Sequence, residues 1–435
     1  VNTSAPTARF QNEISRSTIK TIARNFLALI AGEALSRGIG LVIALRLARV
    51  LGVEGFGALE VGLVVLVYLQ IFVDGGLDVV ATREVARRPE LRSQYAGNLI
   101  GLRLVTATLA IGVVLAINVF TSQPPLLDAV VLRYALSVLP AACALGWAFQ
   151  ASERMRAVAA GNVIQQLVYL VGVELTVVNG HGTVLVPIAY TVATAVGACA
   201  VAVWYVRRYG WIYPRLEPRF CEEVVREALP VAGSRGLRSI SFNFDILILG
   251  YLFTQSTVGL YAAAYRILTL PLLGYATLFT ALFPTLVRLS VRERRRFVGL
   301  GMVVIGVSAL AVAAMLWWFA ESLLTLLMGP PFAGGASALR VLAWSIPLTA
   351  AAGVSRQALI AAGRQRIDLV VVACGAAVNV TLNLLLIPAF GFVGAATATV
   401  SAEGVVLVGS LAAFLLTQPR SGEIAGGLDL PEVPR

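Results

Sequence analysis

About twelve apolar stretches, each long enough to cross a bilayer as a helix, occupy nearly the whole chain and dictate what it can fold into. In lipid the backbone must satisfy its own hydrogen bonds, so such stretches become helices. The reading places them at 22–48, 57–81, 96–120, 129–149, 157–178, 184–206, 229–253, 258–286, 297–320, 339–362, 369–387 and 392–416. With 435 residues, 58% of them hydrophobic and 13% charged, no sizeable soluble domain fits between the spans.

The basic residues collect in every second connector. One set of connectors holds Arg83/Arg87/Arg88/Arg92, Arg154/Arg156, Arg207/Arg208/Arg215/Arg219/Arg226, Arg288/Arg292/Arg294/Arg295/Arg296 and Arg364/Arg366. The alternate set (121–127, 179–183 and 388–394) holds no Lys or Arg. Positive charge accumulates on the cytoplasmic side, so the expectation is a multi-pass protein of the cytoplasmic membrane with both termini cytoplasmic. The net charge of +11 is this loop bias, which suits anionic lipid headgroups and gives no reason to expect nucleic acid. The expected division is a cytoplasmic segment 1–21, a first bundle 22–206, a linker 207–228, a second bundle 229–417 and a disordered cytoplasmic tail 418–435. The linker carries charges of both signs and a short surface helix at 222–227.

The halves repeat. Residues 51–59 (LGVEGFGAL) parallel 253–261 (FTQSTVGLY), Gly32 with Arg37 parallels Gly233 with Arg238, and 149–156 (FQASERMR) parallel 359–366 (LIAAGRQR). An even number of spans in each half makes this a parallel repeat. The expected fold is therefore all-α: about twelve transmembrane helices in two bundles of about six, related by a pseudo-two-fold axis along the membrane normal, with substrate between them.

Ions inside spans are costly and mark function. Span one carries Glu33 and Arg37 one turn apart, roughly 14 and 20 Å along the helix from Arg24. Span seven carries Arg235, Arg238 and Asp245, with Arg238 and Asp245 two turns apart on one face. Arg37 and Arg238, at matched repeat positions, are the expected cavity pair. Glu33 and Asp245 are their expected resting partners, and Arg266 and Arg235 are additional cavity candidates. A pair of guanidinium forks suits phosphate or pyrophosphate oxygens. Arg103 and Arg356 are read as snorkelling towards the cytoplasmic ends, and Arg46, Arg49, Arg133 and Arg340 as outer-interface anchors.

Asp74 and Asp78 share a face of span two, where capping, pairing with Arg83 or ion coupling would each account for them. Glu174 and Glu403 are lone acids in spans five and twelve, read as either protonated structural residues or proton/sodium coupling sites. Asn162, Gln166, Asn379 and Asn383 in spans five and eleven, with Gln165 beside them, are either interhelical glue or saccharide contacts. Cys143, Cys199, Cys221 and Cys374 lack disulfide or metal spacing, and His181 is the sole histidine. No cofactor and no metal is expected. The glycines of 51–57 form a tight helix hairpin, and no phosphate loop with Lys is present.

Several of these stretches resemble the polysaccharide and oligosaccharide flippases of the superfamily that also holds multidrug-and-toxin extrusion transporters and lipid II flippases. The resemblance rests on 48–57 (ARVLGVEGFG), on 74–77 (DGGL) leading to 82–87 (TREVAR), on 361–364 (AAGR) and on 388–396 (PAFGFVGAA). It implies a cationic cavity between two bundles and alternating-access export of a polyprenyl-linked saccharide, with arginines on the pyrophosphate. It also implies neighbours in the pathway, a polysaccharide polymerase and glycosyltransferases. The chain lacks the two extra C-terminal helices typical of lipid II flippases, which points to an O-antigen, capsule or teichuronic-type substrate. A multidrug/cation antiporter of the same fold is the alternative, and it would want an acidic cavity. A membrane-embedded polymerase or glycosyltransferase is a second alternative. The outer loop 321–338 offers it Glu321 and no catalytic partner, so a non-enzyme is expected.

Overall fold

The computed structural model describes residues 5–120, 123–178 and 182–416, with side chains described from Gly32 onward except Val178, Ser241 and Pro284. His181 and the tail 418–435 lie outside the described residues. Fifteen α-helices and two 3-10 turns make up the fold, and the described residues contain no strand. The helices are α1 (Ala5–Asp74), α2 (Leu77–Arg87), α3 (Arg92–Phe120), α4 (Pro125–Ala135), α5 (Val138–Ala142), α6 (Gly146–Gln150), α7 (Met155–Val178) and α8 (Gly182–Tyr209). They continue with α9 (Pro218–Leu252), α10 (Gln255–Arg288), α11 (Val291–Trp318), α12 (Ala320–Leu327), α13 (Ala336–Ala343), α14 (Ser345–Ala361) and α15 (Gln365–Leu416).

Among the described residues, nine helical segments are long and apolar enough to cross a membrane, and a shorter apolar helix covers Phe242–Leu252. Two of the nine are 43 and 52 residues long, enough for about two passes of roughly 20 residues each. A single glycine breaks each of them: Gly52 (φ 67°, ψ −171°) in α1 and Gly391 (φ 58°, ψ −137°) in α15. Those angles strongly disfavour a residue with a Cβ, so at each position one glycine interrupts the helix, at Gly52 within the tight hairpin expected at 51–57. The protein is thus a multi-pass, all-helical membrane protein. The helix of the first span begins at Ala5, well ahead of its expected start at 22.

Two expected spans are interrupted. Span two stops at Asp74, because Gly75 and Gly76 take left-handed angles (φ 50° and 80°) before α2 resumes. Span four is broken into α4, α5 and α6. Pro140 has no N–H to continue the ladder, and the Ser137 hydroxyl donates back to the Tyr134 carbonyl at 2.7 Å. Irregular backbone at membrane depth is tolerated where it is buried in protein or lines a cavity.

The chain divides into two compact units. The first comprises Val1–Gly250 and Thr254–Gly259, and the second Tyr251–Phe253 and Leu260–Arg435. In the first unit one apolar cluster joins Leu77 and Val80 of α2, Tyr95 and Leu99 of α3, Trp147 and Phe149 of α6, Tyr205 of α8, and Val224 and Ala228 of α9. The segment before α9 is docked along α3. The Arg215 N–H donates to the Gly97 carbonyl (3.1 Å), the Glu217 N–H to Asn98 Oδ1 (2.8 Å), and Gln94 Nε2 to Glu217 Oε2 (2.9 Å). The surface helix expected at 222–227 is therefore the opening of α9, which runs from Pro218 into the seventh span.

In the second unit α14 packs on α15 through Ala352, Val371 and Val406. The Ser355 and Ser410 hydroxyls meet there at 2.8 Å. A capping box between Ser290 and Glu293 starts α11. Arg294 caps the end of α10 by donating to the Leu286 and Leu289 carbonyls, so this member of the basic run holds backbone.

Candidate functional site

The first unit contains a cavity of about 800 Å³ lined by the end of α1, α2, α3, the broken α5 region and α9. Its apolar wall includes Val67, Ile71, Val138, Ala141 and Phe242; its polar wall holds Asp74, Asp78, Arg103, Arg235, Arg238 and Asn243. The Gly75–Gly76 break presents Asp74 and Asp78 together, one closing α1 and the other in the first turn of α2. Gly76 sits so close to α9 that a Cβ there would lie 2.8 Å from that of Val231.

Arg103 is the centre of the polar wall. It is 2% exposed, and its Nη2 lies 2.6 Å from both Asp74 Oδ1 and Asp78 Oδ1. Its Nη1 reaches the Ala144 carbonyl at 3.4 Å, an oxygen released from helix bonding by the break before α6. The sequence reading of Arg103 as a snorkelling residue is corrected: two carboxylates hold it inside. Arg235 Nη1 lies 2.5 Å from Asp74 Oδ2, so Asp74 is shared by two guanidiniums. Capping is part of the role of Asp74, whose Oδ1 accepts the Asp78 N–H at 3.4 Å. Arg83 is not its partner; that guanidinium pairs with Glu84 and Glu227.

Arg238, one turn beyond Arg235, is exposed to the cavity and makes no ion pair among the described residues. Asp245, its expected partner, is 4% exposed and accepts the Ile246 N–H at 2.8 Å. The cavity therefore sets three guanidiniums against two carboxylates, and the cation without a carboxylate is Arg238.

The other candidates lie elsewhere. Arg37 Nε donates to Glu33 Oε1 at 2.8 Å, with both side chains about half exposed, and neither residue lines this cavity. Arg266 is a half-buried residue of α10 in the second unit. Glu174 is not a lone acid: Arg46 from α1 grips it with Nε at 2.9 Å and Nη2 at 3.1 Å. Arg46, read from the sequence as an interface anchor, is thus also the ion-pair partner of Glu174. Arg356 likewise does not snorkel, since it forks onto Asp368 at 2.7 and 3.1 Å. Glu403 faces the Thr349 hydroxyl, with the Arg356 charge nearby.

Asn379 and Asn383 are buried against each other, with Asn383 Nδ2 donating to Asn379 Oδ1 at 2.9 Å. Gln165 Nε2 donates to the Thr194 hydroxyl at 3.2 Å, whereas Gln166 Oε1 is buried without a hydrogen-bond partner among the described residues and Asn162 is exposed. None of these amides lines the cavity. Sequence reasoning missed the weight of Arg103 and the whole Asp74–Arg235 contact. The available signal was a double glycine beside paired acids, within reach of an arginine in the next span.

Residues 22–290 match the family model described as polysaccharide biosynthesis protein. The chain belongs to the polysaccharide biosynthesis protein family. Residues 230–385 also match the MatE family model.

An uncharacterized membrane protein of Methanocaldococcus jannaschii is 28% identical over 218 residues, which cover 46% of this chain and 43% of that protein. Among solved structures, the inward closed form of the lipid II flippase MurJ is similar (TM-score 0.70, 12% identity, 90% of this chain and 88% of that one). So is the inward-facing form of a multidrug resistance MATE family transporter (TM-score 0.67, 16% identity, 88% and 96%). A third is a MOP superfamily transporter from Pyrococcus furiosus (TM-score 0.57, 15% identity, 91% and 94%). The fold is that of MOP superfamily transporters.

Proposed function

We propose that this family member is a flippase that carries an oligosaccharide linked to polyprenyl phosphate or pyrophosphate across the cytoplasmic membrane. In this reading it works by alternating access, with both termini cytoplasmic. The observation that carries the proposal is Arg238: a guanidinium with no carboxylate partner among the described residues, in a cavity also lined by Val67, Ile71 and Phe242. Arg238 is exposed to the cavity, so its guanidinium fork is accessible to the oxygens of an anionic guest. An amphiphile with a phosphate headgroup satisfies both walls at once, its phosphate on the guanidinium fork and its chain on Val67, Ile71 and Phe242. The saccharide would occupy the remaining wet space beside Asn243.

The match to the MatE model supports a second reading, a multidrug/cation antiporter. Against it, both cavity carboxylates are already engaged by guanidiniums, which leaves no free acid for an organic cation. One experiment separates the two. Proteoliposomes holding the purified protein are loaded with a fluorescent oligosaccharide on polyprenyl pyrophosphate, and in parallel with ethidium. Translocation of the lipid-linked sugar, abolished by Arg238→Ala, supports the flippase. Transport of ethidium alone supports the antiporter and overturns the proposal.

A further inference from the structure

The turn between α10 and α11 concentrates positive charge on the surface of the second unit. It holds Arg288, Arg292, Arg294, Arg295 and Arg296, with Glu293 as the acid among them. Two of these charges are spent locally. Glu293 closes the capping box on Ser290, and Arg294 holds the Leu286 and Leu289 carbonyls. Arg288, Arg292, Arg295 and Arg296 are exposed and make no ion pair among the described residues.

From this cluster and the helix face that continues it, we infer that Arg292, Arg295 and Arg296 bind the headgroup of an anionic phospholipid whose acyl chain lies along α11. The site belongs to the leaflet that the α10–α11 turn faces, and it is independent of the cavity in the first unit.

Two faces of α11 make the argument. On one, Val298, Ile305, Ala309 and Leu316 are buried, and α11 packs on α14, where a Cβ at Gly301 would lie 3.3 Å from Val354 Cγ1. On the other, Leu300, Val303 and Val307 are 67%, 62% and 63% exposed. Steps of three and four residues lead from Arg292 through Arg296 to Leu300, Val303 and Val307, so the arginines stand at the head of that apolar stripe. α11 is long and apolar enough to cross a membrane, which makes its exposed face a surface for lipid chains. Arg296 and Val307 are separated by roughly 16 Å of helix, about half the thickness of the hydrocarbon core. The stripe therefore matches a chain of a single leaflet.

Charge decides which lipid. A phosphodiester bearing net negative charge meets guanidinium forks that no carboxylate of the protein occupies. A zwitterionic headgroup brings its own ammonium into the cluster, where the arginines repel it. A soluble phosphate or an acidic protein would satisfy the arginines and leave Leu300, Val303 and Val307 uncovered. An anionic phospholipid satisfies both halves of the face, and each basic residue at the membrane surface adds to its hold.

Native mass spectrometry of the full-length protein in maltoside detergent, titrated with phosphatidylglycerol or phosphatidylcholine, tests the site. The wild type should prefer phosphatidylglycerol by at least about tenfold. The triple variant Arg292→Gln/Arg295→Gln/Arg296→Gln keeps Ser290, Glu293 and Arg294, and its preference should fall to within about twofold. Arg154→Gln/Arg156→Gln/Arg366→Gln removes the same charge from other connectors and should retain the preference. Should the first triple variant fail to insert, Arg292→Gln alone should weaken phosphatidylglycerol about fivefold. Neither inorganic phosphate nor glycerophosphoglycerol, the headgroup without chains, should displace the lipid. Equal loss in both triple variants overturns the site in favour of diffuse loop charge. Displacement by glycerophosphoglycerol overturns the role of the apolar stripe, and a wild type that binds both lipids equally overturns the proposal outright.

Discussion

Gly57 and Gly259 make a reciprocal contact within the first unit. A Cβ at Gly57 would fall on the Gln255 carbonyl oxygen, and one at Gly259 on the carbonyl oxygen of Val53. In the register that aligns 51–59 with 253–261, Gly57 matches Gly259 and Val53 matches Gln255. Each glycine therefore meets the mate of the residue that its own mate meets, as a two-fold relation requires. Backbone against backbone leaves nothing flexible to yield. Gly57→Ala or Gly259→Ala should destabilise the protein by about 1–3 kcal/mol, read from thermal unfolding in detergent. Gly38, with open space where its Cβ would be, is the control; Gly38→Ala should be neutral or stabilising.

Arg103→Ala should cost about 3 kcal/mol, towards the low end for a broken buried pair because Asp74 and Asp78 retain some exposure. Lower expression and a lower unfolding midpoint would register it. A midpoint equal to wild type would mean that the two aspartates are neutral without Arg103.

In the lipid-linked saccharide assay, Arg238→Ala should abolish transport and Arg238→Lys should retain part of it, since charge remains but the fork is lost. Arg37→Ala should be milder, because Arg37 is paired with Glu33 and lies off the cavity wall. An Arg37→Ala variant as dead as Arg238→Ala would show that the cavity recruits span one during transport.

Glu174→Gln should leave transport intact and change stability by less than about 1 kcal/mol, as expected for a half-exposed ion pair with Arg46. Glu403→Gln is the more informative coupling test, because Glu403 faces the Thr349 hydroxyl and has no ion pair among the described residues. Loss of gradient-driven transport in folded Glu403→Gln, with Glu174→Gln active, would place coupling in the second unit.

Cys221 reports on the segment docked before α9. It is 8% exposed beside Asn98, and burial, with the Glu217 carboxylate nearby, holds its thiol above the usual range. In a variant that keeps only this cysteine, maleimide labelling at neutral pH should be slow. Asn98→Ala removes the acceptor of the Glu217 N–H and should speed it severalfold. Equal rates would mean that the segment is held by the apolar cluster alone.

The passes were legible because hydropathy is a one-dimensional property, counted residue by residue along the chain. The hairpin at Gly52 was legible too, as a run of glycines between two apolar stretches. What could not be read was where helices fail inside the bilayer. Pro140 with Ser137, and the Gly75–Gly76 pair, are short signals inside long apolar runs, yet they build the cavity wall.

The sequence by itself determined that this chain would be a bundle of membrane helices with repeated halves and cations at depth. Only the tertiary structure decided which cations are spoken for. Arg103 lies 29 residues from Asp74, Arg46 lies 128 from Glu174, and Arg235 lies 161 from Asp74. Helical spacing pairs residues a turn apart and found Glu33 with Arg37, but it says nothing about partners on different helices. Those pairings follow from which helix faces pack together. In a medium without water the packing must bring each buried charge to its counter-ion, as it does for Arg103, while the exposed Arg238 on the same cavity wall makes no ion pair among the described residues.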